Sequence, residues 1–217
     1  MENELKIKKL HWWYYPCKYG FDFIVCLLAL ILLSPLFLIL ALAVKFTSKG
    51  PILYKDRRVG KGGRFFNVLK FRTMFSDANE HPEKYFNQEQ LELWIRERKV
   101  EEDPRITKIG KFLRKTSLDE LPQLINIIKG EMSLVGPRPV IEKENTDFFT
   151  LEERKIIYSA RPGITGYWQV HGRNEVSYLS GERGRLTLEY FEYRSLWQDF
   201  KILLLTVPTV LSTKGAE

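Results

Sequence analysis

The sequence predicts a mostly α-helical fold with a small β-hairpin, carried on an N-terminal membrane-inserted helix kinked at a proline. Three observations predict it. Phe23 to Val44 reads FIVCLLALILLSPLFLILALAV, 22 residues interrupted only by Ser34-Pro35. Residues 52–72 read as two short strands around Gly60-Lys61-Gly62-Gly63, a hairpin signal. The stretches 87–100, 120–128, 149–160 and 196–211 read as helices.

Averages over the whole chain conceal the apolar insertion. The 217 residues are 44% hydrophobic and 28% charged, with a mean hydropathy of −0.25. Such figures exclude a polytopic transporter, a disordered tail and a collagen-like or disulfide-rich scaffold. The length suits one or two domains, and there is no internal repeat. We divide the chain into an interfacial segment 1–20, a membrane-inserted helix 21–46 and a polar body 47–217.

The elements follow in order. Trp12, Trp13, Tyr14 and Tyr15 suit the aromatic belt of a membrane interface. The apolar run after them has the length and purity of a membrane helix. It is too long for the core of a signal peptide, and no small-residue cleavage site follows. Pro35 removes a backbone donor and predicts a kink. Its two halves are ~18 and ~15 Å long, each about half of a ~30 Å hydrocarbon core. Lys6, Lys8, Lys9 and Lys18 precede the run, and Lys45, Lys49, Lys55, Arg57 and Arg58 follow it. A simple span would put one basic cluster on the wrong side. A re-entrant helix that breaks at Ser34-Pro35 and returns to the same face satisfies both, and the flanks favour it over a span.

In the hairpin region, Lys55 to Arg72 carries seven basic residues and one acid, Asp56. Residues 87–100 have the mixed charge of a solvated helix, which Asp103-Pro104 breaks. Arg105 to Lys115 then brings five basic residues and no acid. A helix over Glu120–Ile128 has Gly130 as its stop signal, and one over 149–160 precedes Arg161-Pro162-Gly163. The last segment, Leu196–Leu211, is too short and too polar at its start to span. It reads equally as an interfacial amphipathic helix or as a core helix ended by Pro208.

The net charge of +7 points to partners carrying phosphate, nucleic acid or anionic lipid. Cys17 and Cys26 cannot make a disulfide framework, and His11, His81 and His171 are too scattered for a zinc site.

The sharpest local pattern is Arg114-Lys115-Thr116-Ser117-Leu118-Asp119-Glu120-Leu121-Pro122. A capping box of Ser117 with Glu120 would put Pro122 where the helix needs its N–H. Capping by Asp119 instead puts Pro122 harmlessly in the first turn. The functional reading uses the same geometry. A carboxylate beside free helix N–H groups and Arg114 stays ionised, as a nucleophile or metal ligand must. Glu120 beside it suits Mg²⁺, which takes a few carboxylates plus substrate phosphate. Gly136-Pro137-Arg138-Pro139 holds Arg138 extended. Arg161-Pro162-Gly163-Ile164-Thr165-Gly166 offers glycine amides, with Tyr167, Trp168, Gln169 and Arg173 after it. The aromatics there either stack on a base or fill the core.

Taken together, the chain resembles the bacterial polyprenyl-phosphate phosphoglycosyl transferases of the monotopic type. The resemblance runs from about Lys18 to the C-terminus. It is carried by Ser34-Pro35, Gly50-Pro51, Lys70 to Met74 (KFRTM), Asp103 to Thr107 (DPRIT), Arg114 to Leu124, Lys129 to Pro139 (KGEMSLVGPRP) and Arg161 to Gly172 (RPGITGYWQVHG). The resemblance implies a re-entrant membrane helix and a cytoplasmic catalytic domain, here 47–217, on the bacterial inner membrane. It implies that Asp119 attacks the β-phosphate of a UDP-sugar and releases UMP. Undecaprenyl phosphate would then take the phosphosugar from the aspartyl enzyme, the first membrane step of capsule, exopolysaccharide or O-antigen synthesis. Glu120 would bind Mg²⁺. Arg114 and Arg138 align with family arginines near the phosphates, and Lys70, Arg72, Arg161 and Arg173 are further phosphate candidates. Galactose or glucose is favoured over an N-acetylated sugar, and a homo-oligomer is left open. Asp56 stands where the family usually has Gln, and Thr187 where an acid is common.

Two other classes were weighed. A membrane-anchored nucleic-acid module needs a continuous basic face or a recognisable binding motif, and neither is present, so no nucleic-acid partner is expected. A non-catalytic scaffold would tolerate a degenerate dyad, whereas Asp119-Glu120 is intact.

Overall fold

The computed structural model describes residues 7–97, 100–172 and 182–211. Its apolar run forms two helices, α1 (Tyr14–Leu32) and α2 (Ser34–Thr47), separated at Leu33. Pro35 falls in the first turn of α2, where no N–H is required. The Ser34 hydroxyl donates back to the Ile31 carbonyl at 2.8 Å. Helix α1 starts earlier than the apolar run, so Tyr14 and Tyr15 belong to its first turn.

Lys18, Asp22 and Cys26 are buried on one face of α1, as their four-residue spacing dictates. Leu40 and Val44 of α2 are buried too. The other side is apolar and bare: Leu28, Ile31, Leu32, Leu38, Ile39 and Phe46 are exposed, Leu32 at 79% and Phe46 at 83%. Soluble surfaces rarely show so large a patch.

The expected hairpin is present. Strand β1 (Leu53–Val59) pairs antiparallel with β2 (Phe65–Phe71), joined through a 3₁₀ turn at Lys61–Gly63. The register sets Tyr54 opposite Lys70, Asp56 opposite Val68 and Arg58 opposite Phe66. These six side chains therefore share one face.

Helix α3 covers Gln88–Glu97 and α4 Lys108–Lys115. The helix expected from Glu120 instead begins at Gln123: α5 is Gln123–Ile128, with Pro122 at its N-cap position. Asp119 and Glu120 lie before it in a 3₁₀ turn, Leu118–Glu120. Neither capping arrangement forms: Ser117 is left-handed at φ 55° and makes no side-chain cap, and α5 starts from Pro122 without a side-chain cap.

Strand β3 (Ser133–Val135) is followed by α6 (Glu142–Phe148) and α7 (Leu151–Ile157), then by β4 (Gly163–Thr165). The β3–β4 pair is parallel and was not expected. It corrects the reading of the glycine amides in Arg161–Gly166. Gly163 N–H donates to the Pro137 carbonyl and Gly136 N–H to the Thr165 carbonyl, so these amides hold the turns together instead of facing a phosphate. A Cβ on Gly163 would lie 2.2 Å from the Gly136 nitrogen, so only glycine permits that approach.

Helix α8 (Tyr167–His171) packs on α9 (Glu182–Tyr193), and α10 (Leu196–Leu211) closes the body. Pro208 lies inside α10 and does not end it. The helix has one buried face and one exposed apolar face. Asp199 and Ile202 are buried, while Trp197, Phe200, Leu204, Leu205 and Val207 are exposed.

Three apolar clusters support the body. Phe191, Ile202, Val135 and Ile157 form one, and Cys26, Val68, Leu124, Ile127 and Met132 a second. Leu40, Val44, Phe71 and Leu113 form the third, with Leu118 and Leu121 packed against it. The turn bearing Asp119 and Glu120 is thus pinned at Leu118 and Leu121 on one cluster and at Leu124 on the next.

Candidate active site

Each side chain of the site arrives on a supported element. Thr107 caps α4 by accepting from the Gly110 N–H at 3.0 Å. The last turn of α4 carries Arg114, whose Nε donates to Thr73 Oγ1 at 3.0 Å. Ser117 then turns the chain through the left-handed region, at a cost of about 1 kcal/mol for a residue with a Cβ. That reversal brings Asp119 and Glu120 back towards β2. Lys70 Nζ donates to Glu120 Oε1 at 2.8 Å.

Glu120 and Lys70 line a pocket together with Asp56, Arg58, Gln123, Arg138 and Gln169. Asp56 Oδ2 accepts from Arg58 at 2.6 Å. Asp119 is 8% exposed. It accepts no hydrogen bond from another side chain among the described residues. Burial pushes its carboxyl up to about 6, Lys70 opposes that rise, Glu120 adds to it and Arg114 opposes it. At pH 7 roughly nine-tenths of the group is ionised. It is a carboxylate held short of full stabilisation, beside cationic groups that suit an anionic substrate.

A family model described as bacterial sugar transferase matches residues 13–213. The chain belongs to the bacterial sugar transferase family. It is 45% identical over 201 residues to the exopolysaccharide production protein ExoY of Sinorhizobium fredii, covering 92% of this chain and 87% of that one. It is 40% identical over 201 residues to the undecaprenyl-phosphate galactose phosphotransferase of Salmonella typhimurium, covering 92% and 41%. Identity is also 40% over 190 residues with the UDP-glucose:undecaprenyl-phosphate glucose-1-phosphate transferase of Escherichia coli, covering 86% and 38%. The chain spans less than half the length of these last two.

Against this sugar transferase assignment, the expected site residues separate. Lys70, Glu120 and Arg138 line one pocket, and Asp119 and Arg114 interact electrostatically beside it. Arg72 is directed elsewhere. Its guanidinium donates to the carbonyls of Ser48 at 2.7 Å and Lys49 at 3.0 Å, and to Ser48 Oγ at 2.9 Å. Those groups end α2, so Arg72 caps the apolar helix, and the phosphate role expected of it is not carried forward. Arg161 stacks over Tyr19 of α1 at 3.9 Å and does not line the pocket. Arg173 lies outside the described residues. Of the two family departures, Asp56 lines the pocket, whereas Thr187 lines a neighbouring cleft.

Sequence reasoning missed Arg58, Gln123 and Gln169 as pocket residues and noted Asp56 only as a departure. The hairpin register offered a signal for two of them, because Asp56 and Arg58 share the face of Lys70. The donor set suits Mg²⁺. No cluster of three His, Cys, Asp or Glu side chains exists among the described residues. Two adjacent carboxylates are present, and Mg²⁺ is commonly held by one or two carboxylates plus substrate phosphates.

Proposed function

We propose that this chain transfers a sugar-1-phosphate from a UDP-sugar to undecaprenyl phosphate, with galactose or glucose as the sugar. The single observation that carries the proposal is Asp119: a buried carboxylate with no salt bridge or side-chain hydrogen bond among the described residues, in the same turn as Glu120, which pairs with Lys70. A carboxylate oxygen of Asp119 attacks the β-phosphorus. The bond to the bridging oxygen breaks and UMP leaves. A phosphate oxygen of undecaprenyl phosphate then attacks the same phosphorus, and the Asp119 carboxylate is released with undecaprenyl diphosphate sugar as product.

Lys70, Arg114 and Arg138 hold the diphosphate, whose charge they offset. Glu120 would hold Mg²⁺ together with phosphate oxygens, and the ion would stabilise the charge developing on UMP. The names of the relatives from Salmonella typhimurium and Escherichia coli support a hexose donor and this acceptor. The ExoY relative supports a role in exopolysaccharide synthesis.

The acceptor is confined to a bilayer, so the nucleophile must work near the phosphate plane. The bare apolar side of α1–α2 and the exposed face of α10 enter the inner membrane in this reading, with the catalytic body facing the cytoplasm. The re-entrant form is supported at both ends of the helix pair. Lys18 near the start of α1 pairs with Asp199 of the body at 3.0 Å. Arg72 of the body caps the end of α2. Contacts of both flanks with the same body support this reading.

The test is UMP release from membranes given undecaprenyl phosphate, Mg²⁺ and a panel of UDP-sugars that includes N-acetylated donors. A hexose donor is expected to react and to leave a phosphosugar label that Asp119→Asn abolishes. No release with any donor, or labelling that survives Asp119→Asn, refutes the proposal. Cysteine labelling from outside intact cells is expected to reach neither flank of α1–α2.

A further inference from the structure

A second cleft adjoins the catalytic pocket, and Arg138 lines both. Glu144 and Thr187 line the cleft as well. Val140, Phe148, Phe149 and Trp168 give it an apolar wall. Two guanidinium groups lie beside the Trp168 indole, Arg183 at 4.0 Å and Arg138 at 5.4 Å from the ring centre. Trp168 is buried, and its indole N–H has no acceptor among the described residues.

We infer that this cleft takes the nucleoside of the donor, so that the UDP-sugar lies across Arg138. The uracil and ribose occupy the cleft, and the sugar occupies the pocket beside Asp56, Gln123 and Gln169. The inference rests on the function proposed above and adds an orientation to it. Hydroxyl chemistry decides between the two cavities. Glu144 and Thr187 can meet the two ribose hydroxyls, but a hexose in the cleft would set further hydroxyls against Val140, Phe148 and Phe149, where each unpaired group costs free energy. The carboxylate and the two carboxamides of the pocket accept and donate to hydroxyls instead.

A pyrimidine has the opposite needs. Its flat ring is content against aromatic and guanidinium planes, and its carbonyl oxygens are acceptors for an orphaned donor such as the Trp168 N–H. Position agrees with chemistry. Arg138 stands where cleft and pocket meet, which is where a diphosphate joining nucleoside to sugar must lie. A polyprenyl chain would also tolerate the apolar wall, but it offers no acceptor to the indole N–H.

The experiment uses the full chain in lipid nanodiscs. UMP binding is followed by calorimetry, and UMP release is assayed against UDP-sugar and undecaprenyl phosphate. Arg183→Gln removes one guanidinium. Gly184→Leu fills the cleft, because even a Cβ there would lie 3.2 Å from the Phe149 ring. Both are expected to weaken UMP binding and raise the KM for UDP-sugar by about tenfold, without raising the KM for undecaprenyl phosphate. Arg183→Lys, which keeps charge but loses the planar stack, is expected to fall between wild type and Arg183→Gln. Unchanged UMP affinity in both Arg183→Gln and Gly184→Leu, or a rise confined to the KM for undecaprenyl phosphate, overturns the inference while leaving the transferase reading intact. Wild-type protein that releases no UMP from any UDP-sugar overturns the transferase reading first, and this orientation with it.

Discussion

Asp119 and Asp199 are both buried carboxylates, 8% and 5% exposed, yet they are treated in opposite ways. Asp199 accepts from Tyr14 at 2.7 Å and Tyr190 at 2.9 Å, and pairs with the Lys18 ammonium at 3.0 Å. Its lone pairs are used and its charge is met by a buried countercharge. Asp119 has cations in its field but no other side chain in hydrogen-bond contact among the described residues. A saturated carboxylate ties elements together, here α1, α9 and α10. An unsaturated one keeps its lone pairs for a substrate.

The largest expected effect tests the unsaturated member. Asp119→Asn is expected to lower UMP release by at least about a thousandfold, as loss of a nucleophile does. It is expected to raise stability at the same time. The carboxyl is raised from 3.8 to about 6, so the folded state holds the proton more tightly than the unfolded chain. That penalty on the ionised form is absent below pH 3.8, grows between 3.8 and about 6, and is complete above it. At pH 7 it amounts to about 3 kcal/mol, which a neutral amide removes. A thermal melt of the variant that shows a loss of stability breaks the comparison.

Asp199→Asn is expected to do the reverse. It leaves the Lys18 ammonium buried without its countercharge, which costs about 3 kcal/mol, while activity per folded molecule persists. Adding Lys18→Met removes the orphaned charge and is expected to restore part of the loss. Chemical denaturation of the single and double variants checks both. If the double variant is no better than Asp199→Asn alone, the ion pair is not what holds α1 to α10.

How far the sequence disclosed this arrangement depends on how local each determinant is. The apolar helices, the hairpin and the Asp119-Glu120 pair follow from periodicity, turn residues and motif, all within a few neighbouring positions. The Asp199 cluster unites residues 14, 18, 190 and 199, and nothing near any one of them announces the others. The β3–β4 pairing was hidden for the same reason, since three-residue strands carry no readable period. Arg72 illustrates the cost of reading charge without position. By composition it is one more basic residue beside Lys70, and only the fold shows that it faces the carbonyl end of α2. Asp56 and Arg58 were nearer to hand, because strand alternation already set them on the face of Lys70.

A third test uses pH. The attacking form of Asp119 is ionised, so kcat/KM is expected to be level above pH 6 and to fall tenfold per pH unit below about 6. An ordinary exposed carboxylate would hold its plateau down to about pH 4. Lys70→Met removes a cation that lowers the Asp119 value, so the acid limb is expected to move to higher pH. A limb near pH 4 in the wild-type protein means that Asp119 is solvated and the contrast with Asp199 is lost.

The smallest effect concerns Arg72, which belongs with the saturated groups despite its place beside Lys70 in the chain. Its guanidinium serves several acceptors at the end of α2, and its charge sits at the negative end of that helix dipole. Arg72→Lys keeps the charge but cannot reproduce the planar fork. The expected cost is about 1 kcal/mol of stability, with the KM for UDP-sugar unchanged. Arg138→Lys is the companion variant, expected to raise that KM while leaving the melting temperature nearly where it was. If Arg72→Lys raises the KM as Arg138→Lys does, Arg72 reaches substrate phosphate after all. Saturation by protein partners would then no longer separate structural charges from catalytic ones.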